Sequence, residues 1–237
     1  PSSVMTSEVD LFGIFDMPYL VANRDHMKRI EKEVVRPTLF PLAEQKGLKV
    51  LSVWENGYRH ITNNKRPIVK PEDLQGIKLR TPKGKWRVKM FQAYGANPTP
   101  MSFSEVFTAL QTGVMDGQEN PLTQIYSGKF QEVQKYLSMS GHVYTPAFPT
   151  ASVKRFNSYP ADIQKALTEA AVETQSFVYA TAMKMEGELL DKIKAAGTKV
   201  NEVDGKAFVA ASKAIYEEFG QDVKGGNDLI GKAQSLR

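Results

Sequence analysis

The side chains able to do chemistry are few and scattered. The sequence has 237 residues, no cysteine and only three histidines, His26, His60 and His142. The lack of cysteine excludes disulfides, thiol nucleophiles and Cys-ligated zinc. No two histidines have the spacing of metal ligands and none stands in a nucleophile–base arrangement, so each reads as a surface or structural residue. GxSxG, Walker A and GxGxxG patterns are absent. Asp116 and Glu119 lie three apart in a turn and could serve as paired acid and base. An Asp-Gly turn with a neighbouring Glu is more often structural. What remains are two arginines beside turns. Arg59 follows Asn56-Gly57, and Arg80 ends a short strand before a Pro-Lys-Gly turn. An arginine at a strand end can project into a cleft, where its planar fork gives a carboxylate two parallel hydrogen bonds. Taken singly, each reads as an ordinary surface charge.

These residues must be positioned by the elements around them. Val9 to Val21 reads as a strand or apolar loop interrupted at Pro18. From Asp25 to Leu42 the residues Met27, Ile30, Val34, Val35 and Leu39 recur on one helical face. Gly47 ends that unit, and Leu48 to Trp54 reads as a buried strand. A short helical turn begins at Lys70 and ends at Gly76, and Ile77 to Thr81 is a strand. Trp86 to Tyr94 is helical, with Gly95 as its C-terminal cap. Asn97 to Met101 is extended by its prolines. A helix over Ser104 to Thr112 has Ser104 as N-cap and an apolar face of Val106, Phe107 and Leu110. Val114 to Asn120 is a short strand, Phe130 to Leu137 a short amphipathic element, and His142 to Val153 extended. A long helix runs from Pro160 to about Ala196 and ends at Gly197. At 1.5 Å per residue it would span roughly 55 Å, enough to bridge two bodies. Thr198 to Glu202 is a strand and Gly205 to Phe219 a final helix. The order of helix, glycine and strand is that of an α/β layer protein.

Composition narrows the class further. Hydrophobic residues make up 41% and charged residues 24% of the chain, ordinary values for a globular protein. No run approaches the ~20 apolar residues of a membrane span. The net charge is +5, but basic and acidic residues alternate from Met27 to Arg36 and from Met183 to Lys194. There is no basic arm, and the aromatics do not interleave with a basic stripe, so nucleic acid is not an expected partner. A mild positive bias would still help to collect anionic solutes.

The arginines gain weight from their setting. Leu74 to Pro82 reads LQGIKLRTP, Gly95 to Met101 reads GANPTPM, Phe103 to Gly113 reads FSEVFTALQTG, and Asp116 to Pro121 reads DGQENP. With Glu132 to Leu137 (EVQKYL), His142 and the opening Asp16-Met-Pro-Tyr19, this ordered series resembles the TRAP transporter solute-binding proteins, the DctP-like family, over essentially the whole chain. The resemblance implies an α/β, two-lobed periplasmic-binding-protein-like fold with a ligand cleft between the lobes and a long helix spanning both. Residues 1–56 would be part of lobe I, 57–146 lobe II with the main ligand clamp, and 147–159 the return to lobe I. Residues 160–197 would form the spanning helix, and 198–237 a strand and helices packed on the lobes.

The family arginine that pairs with the ligand carboxylate falls on Arg80 and a second on Arg59, with Asn120 as an amide donor and Phe103 lining the pocket. Glu119 precedes that asparagine and joins the expected ligand-binding set. Lys83 follows in the turn and could reach another acidic or hydroxyl group. The family carries a further N-terminal segment, so this sequence, opening at Pro1, is expected to lack part of the first lobe. Ser2 and Ser3 would then lie beside the ligand. The opening Pro1 in place of Met implies a processed, cut or engineered start, and no signal peptide is present. The expected function is a periplasmic, monomeric receptor that binds a small organic carboxylate and delivers it to membrane permease subunits. A sugar acid such as a uronate is the first expectation, a C4-dicarboxylate or sialic acid the next. Relatives that bind 2-oxo acids through a cation carry other residues at Glu119-Asn120, so no metal or other cofactor is expected. An enzyme acting on an organic acid, with Asp116 and Glu119 as acid and base, is the reading from another class.

Overall fold

The structure is a computed structural model that describes all residues from Pro1 to Arg237. Eight strands form two sheets. The smaller pairs β1 (Leu48–Val50) with β7 (Thr150–Ser152) in antiparallel fashion. The larger contains β2 (Trp54–Asn63), β3 (Lys78–Thr81), β4 (Asn97–Pro100), β5 (Gly117–Pro121), β6 (Tyr136–Ala147) and β8 (Lys199–Glu202), in the order β4-β3-β5-β2-β6-β8. Strand β3 runs parallel to both β4 and β5, whereas β2 is antiparallel to its two neighbours β5 and β6. The helices are α1 (Ser2–Met5), α2 (Arg24–Ile30), α3 (Phe40–Gln45), α4 (Lys85–Ala93), α5 (Phe103–Gln111), α6 (Leu122–Ser127), α7 (Val153–Asn157), α8 (Ala161–Ala195), α9 (Gly205–Ala211), α10 (Lys213–Asp222) and α11 (Gly226–Ser235). This is the α/β architecture expected, with β2, the end of β6 and α8 linking the two sheets.

The long helix forms over Ala161–Ala195 with Pro160 as its N-cap. Its first half meets the smaller-sheet region, where the Trp54 indole N–H donates to the Ala171 carbonyl and Gln175 to Glu31. Its last turns bury Leu189 and Ile193 against Val106, Leu110, Leu122 and Ile125 on one side of the large sheet. The opposite side of that sheet joins a larger core of Phe12, Phe15, Val34, Ile61, Leu79, Trp86, Phe91 and Phe219. No helix is long and apolar enough to cross a membrane.

Local readings are corrected in five places. The segment Val9 to Val21 is neither strand nor plain loop: Asp10–Asp16 makes a 3-10 helix whose residues from Phe12 on are buried. Residues 24–45 stay helical, but Glu31–Leu39 widens to π-type winding around Pro37, which lacks the N–H for the ordinary ladder. Leu48 to Trp54 is not one strand, because β1 ends at Val50 and the chain crosses to the other sheet at Trp54. Ser102, and not Ser104, is the N-cap of α5, and its backbone N–H donates to the Glu105 carboxylate at 3.1 Å. Past Phe219, α10 continues to Asp222 and α11 follows.

Candidate functional site

A cleft of about 380 Å³ opens at one edge of the large sheet. The carboxyl ends of β3, β4 and β5 deliver Arg80, Pro82 and Lys83, then Met101, Ser102 and Phe103, then Asn120. Strand β2 runs the other way, so its beginning brings Asn56 and Arg59 to the same edge. Ser3 closes the cleft from the opposite side. The carboxyl edge of parallel strands is where open α/β sheets place ligands. Two helices, α4 and α5, start there, so their amide ends favour negative charge in the cleft.

Arg80 is 3% exposed, and its Nε and Nη2 both donate to the Met101 carbonyl, at 3.0 and 2.6 Å. Burial lowers its pKa to about 10, partly opposed by the charge of Glu119, so it stays a guanidinium at neutral pH. Met101 supplies no negative charge. Arg59 is different. It sits within β2, not after a turn as its sequence neighbours imply, because the glycine at 57 (φ +116°) belongs to a bulge in the β2–β6 pairing. Its Nε donates to the Glu119 carboxylate at 2.5 Å and its Nη2 to the Asn120 side-chain carbonyl at 3.0 Å. Asn120 in turn donates its amide to Gln118 at 2.6 Å. Phe103 leaves 42% of its surface exposed at the cleft while its ring leans on Phe130, 5.6 Å between centroids. Lys83 is exposed and has no acidic partner.

The structure moves two expected contacts behind the cleft wall. Glu119 is wholly buried and does not line the cleft. Its carboxylate accepts from Arg59, from Arg87 Nη1 at 2.8 Å, and shares a hydrogen bond of 3.0 Å with His142. Burial alone would raise its pKa, but the two arginines outweigh that and hold it well below the usual carboxylate range. A buried carboxylate with three partners is a brace for cations and not a ligand contact. Ser2 is also buried and off the lining, whereas Ser3 lines it, and neither hydroxyl has a hydrogen-bond partner. Asp116 and Glu119 do not form a pair: Asp116 accepts from the Lys78 N–H and meets Lys65, at the surface end of β5.

Sequence reasoning missed Arg87 and Asp16. Arg87 is fully buried, and its Nη2 donates to Asp16 Oδ1 at 2.6 Å. The signal was present, since position 87 shares one helical stripe with Met90, Phe91 and Tyr94, all buried. His142 and His60 are buried too. Burial lowers both pKa values, that of His60 to about 3, so both are neutral near neutral pH. No cluster of three or more His, Asp or Glu side chains is placed to hold a metal ion. A larger groove of about 580 Å³ lies between Tyr19 and the last two helices, but its cations are the exposed Lys213 and Arg237, the latter bonded to the Tyr19 and Leu20 carbonyls.

The sequence profile of the bacterial extracellular solute-binding proteins, family 7 (DctP), matches residues 2–222. The chain belongs to this family. It is 36% identical over 222 residues to the 2,3-diketo-L-gulonate-binding periplasmic protein YiaO of Escherichia coli K12, covering 93% of this chain and 68% of that one. Among solved structures, the sugar acid binding protein DctPAm of Advenella mimigardefordensis in complex with galactonate superposes with a TM-score of 0.90 at 36% identity, over 98% of this chain and 77% of that one. A TRAP periplasmic solute binding protein of Chromohalobacter salexigens with bound D-glucuronate gives 0.95 at 29% identity, over 100% of this chain and 79% of that one. The chain thus spans about two thirds of the length of the first of these relatives. The two-lobed α/β fold of TRAP solute receptors is the fold of this DctP-family protein.

Proposed function

We propose that this DctP-family chain is the periplasmic receptor of a TRAP transporter, capturing one small organic acid by its carboxylate and delivering it unchanged to membrane permease subunits. One observation carries the reading. The buried cations of the chain are Arg59, Arg80 and Arg87, and Arg80 alone has no acidic partner. A buried guanidinium without a counter-charge is costly, and a ligand carboxylate that replaces lost hydration with a two-point clamp removes that cost. On this reading Arg80 is the clamp, Asn120 and Arg59 orient the bound end, Phe103 covers the carbon skeleton, Lys83 stands at the mouth and Ser3 in the wall.

A sugar acid, a uronate first, is the proposed ligand, because the cleft couples one free guanidinium with amide and hydroxyl groups. The ligands named for the relatives, diketo-gulonate, galactonate and glucuronate, are of that chemistry. Lobe II then comprises residues 57–146, lobe I includes 1–56 and 147–159, and the chain acts as a monomer whose lobes close over the ligand. The separation of Asp116 from Glu119 speaks against acid–base turnover.

A thermal-shift screen over sugar acids, C4-dicarboxylates and sialic acid tests this. A ligand at 100 times its Kd adds about 2.7 kcal/mol of stability. Arg80→Ala is expected to abolish the shift of the best ligand; an unchanged shift would remove the clamp. Recovery of the ligand unaltered after incubation is expected, and a product would favour an enzyme.

A further inference from the structure

Five buried side chains of formal charge meet in and behind the cleft, Arg59, Arg80, Arg87, Asp16 and Glu119, with the neutral His142 bonded to Glu119. Glu119 takes both Arg59 and Arg87, and Asp16 takes Arg87. Three guanidiniums against two carboxylates leave one surplus positive charge, and it resides on Arg80. Lys83, in solvent at the rim, adds little to a desolvated site. Burial raises the Asp16 pKa and Arg87 opposes that; with a guanidinium 2.6 Å from Oδ1, the pair stands as carboxylate and guanidinium.

Asp16 does more than balance Arg87. Its second oxygen, Oδ2, is buried without a hydrogen-bond partner. It lies 3.5 Å from where a side chain at Gly84 would begin, and the Ser3 Cβ lies 4.0 Å from the same point. So a free acceptor is buried behind Ser3, which lines the cleft, while Asp16 and Gly84 themselves stay off the lining. The hydroxyls of Ser3 and of Thr81, next to Arg80 in sequence, are also buried and unpartnered. From behind the lining, the charge of this carboxylate favours hydroxyl donors in the cleft and disfavours a second carboxylate.

We infer that the Asp16–Arg87 pair is the specificity element of this cleft: it holds the surplus charge at one, so that the receptor selects acids with a single carboxylate and a hydroxylated remainder and turns away dianions. The inference rests on reading the cleft as a carboxylate receptor. Its physical content is that a second ligand carboxylate would be desolvated with no cation left to meet it.

The test compares Kd for D-glucuronate and succinate by calorimetry near neutral pH, on the full chain. Wild type is expected to favour glucuronate. Asp16→Asn raises the surplus to two, and the succinate-to-glucuronate affinity ratio should rise by about tenfold or more. The double variant Asp16→Asn/Arg87→Gln returns the surplus to one and should return the ratio to near wild type. A wild-type preference for succinate, a ratio in Asp16→Asn within about threefold of wild type, or a double variant that shifts as the single one does, overturns the inference. Should Asp16→Asn not fold, Arg87→Met brings the surplus to zero and is expected to weaken both ligands by about tenfold or more; retained affinity overturns the proposal. Arg80→Ala separates the two levels. If it still binds glucuronate, the Arg80 clamp on which the charge count rests fails; if it does not, while Asp16→Asn leaves the ratio alone, only the selectivity role fails.

Discussion

Arg59 on β2 and Glu119 on β5 lie diagonally across an antiparallel pair, because Arg59 stands opposite Pro121, and their side chains meet at 2.5 Å with both groups buried. Glu119 is thereby the shared anion of two arginines. Glu119→Gln would leave Arg59 without a counter-charge and Arg87 with Asp16 alone. The expected loss is about 3–5 kcal/mol in urea unfolding at neutral pH. A loss below about 1 kcal/mol would show that water reaches this cluster.

The distribution of what could be read from residues follows from local and non-local causes. The long helix was legible because Pro160 and Gly197 bracket an uninterrupted periodic run. Arg80 was legible because strand, arginine and Pro-Lys-Gly turn are contiguous. Arg59 was placed after a turn because Asn56-Gly57 is a turn signal, yet here the glycine serves a bulge inside a ten-residue strand. Glu119 was adjacent to the right asparagine but points away from the cleft lining, toward partners 32 and 60 residues distant. Arg87 reads as a surface residue until its position on the buried face of α4 is noticed, and its need for Asp16, 71 residues away, is invisible to any local pattern.

His60 makes the fold acid-sensitive. Its folded pKa is lowered to about 3, first by burial and then by His142 and Arg59, whereas the unfolded value is 6.5. The unfolded chain therefore binds more protons between these values, and stability falls as pH drops through that window. The loss attributable to His60 is on the order of 4 kcal/mol by the bottom of it. Glu119 acts in the same direction but only below its unfolded value of 4.5. Denaturation midpoints measured from neutral to acidic pH should decline already between pH about 6 and 5, and His60→Asn should flatten that upper part of the slope. An unaltered slope would assign it to another group.

Gly117 keeps β5 in register with β2. A Cβ there would fall 2.3 Å from the Thr62 carbonyl oxygen and 2.8 Å from the Asn63 Cβ. The carbonyl is backbone and cannot swing aside, so the strands must part. Gly117→Ala is expected to cost about 3 kcal/mol, near the top of the overpacking range, and to weaken ligand binding because Glu119 and Asn120 ride on the same strand. Gly231→Ala is the contrast. It lies in α11 with nothing within 4 Å of its added Cβ, and should stabilise by about 0.5–1 kcal/mol. Equal effects of the two variants in thermal unfolding would refute the register argument.

Arg24 holds together the place where the chain passes between the two sheets. Its Nη2 donates to Glu55 at 2.6 Å and to Glu186 at 2.7 Å, joining the first turn of α2 to the start of β2 and to α8. The two acids are not equivalent. The Glu55 side chain is wholly buried, with the Tyr144 hydroxyl at 3.1 Å as its other donor, while that of Glu186 is 36% exposed. Glu186→Gln should therefore cost less than about 1 kcal/mol, as exposed pairs do. Arg24→Met strands the Glu55 carboxylate and should cost about 3–5 kcal/mol. Replacing both, Arg24→Met with Glu55→Met, removes the stranded charge and is expected to recover most of that loss, since apolar substitutes for a buried ion pair are often neutral. Urea unfolding of the three variants decides it: if the double variant is as unstable as Arg24→Met, the cost comes from packing at the crossing and not from the unpaired charge.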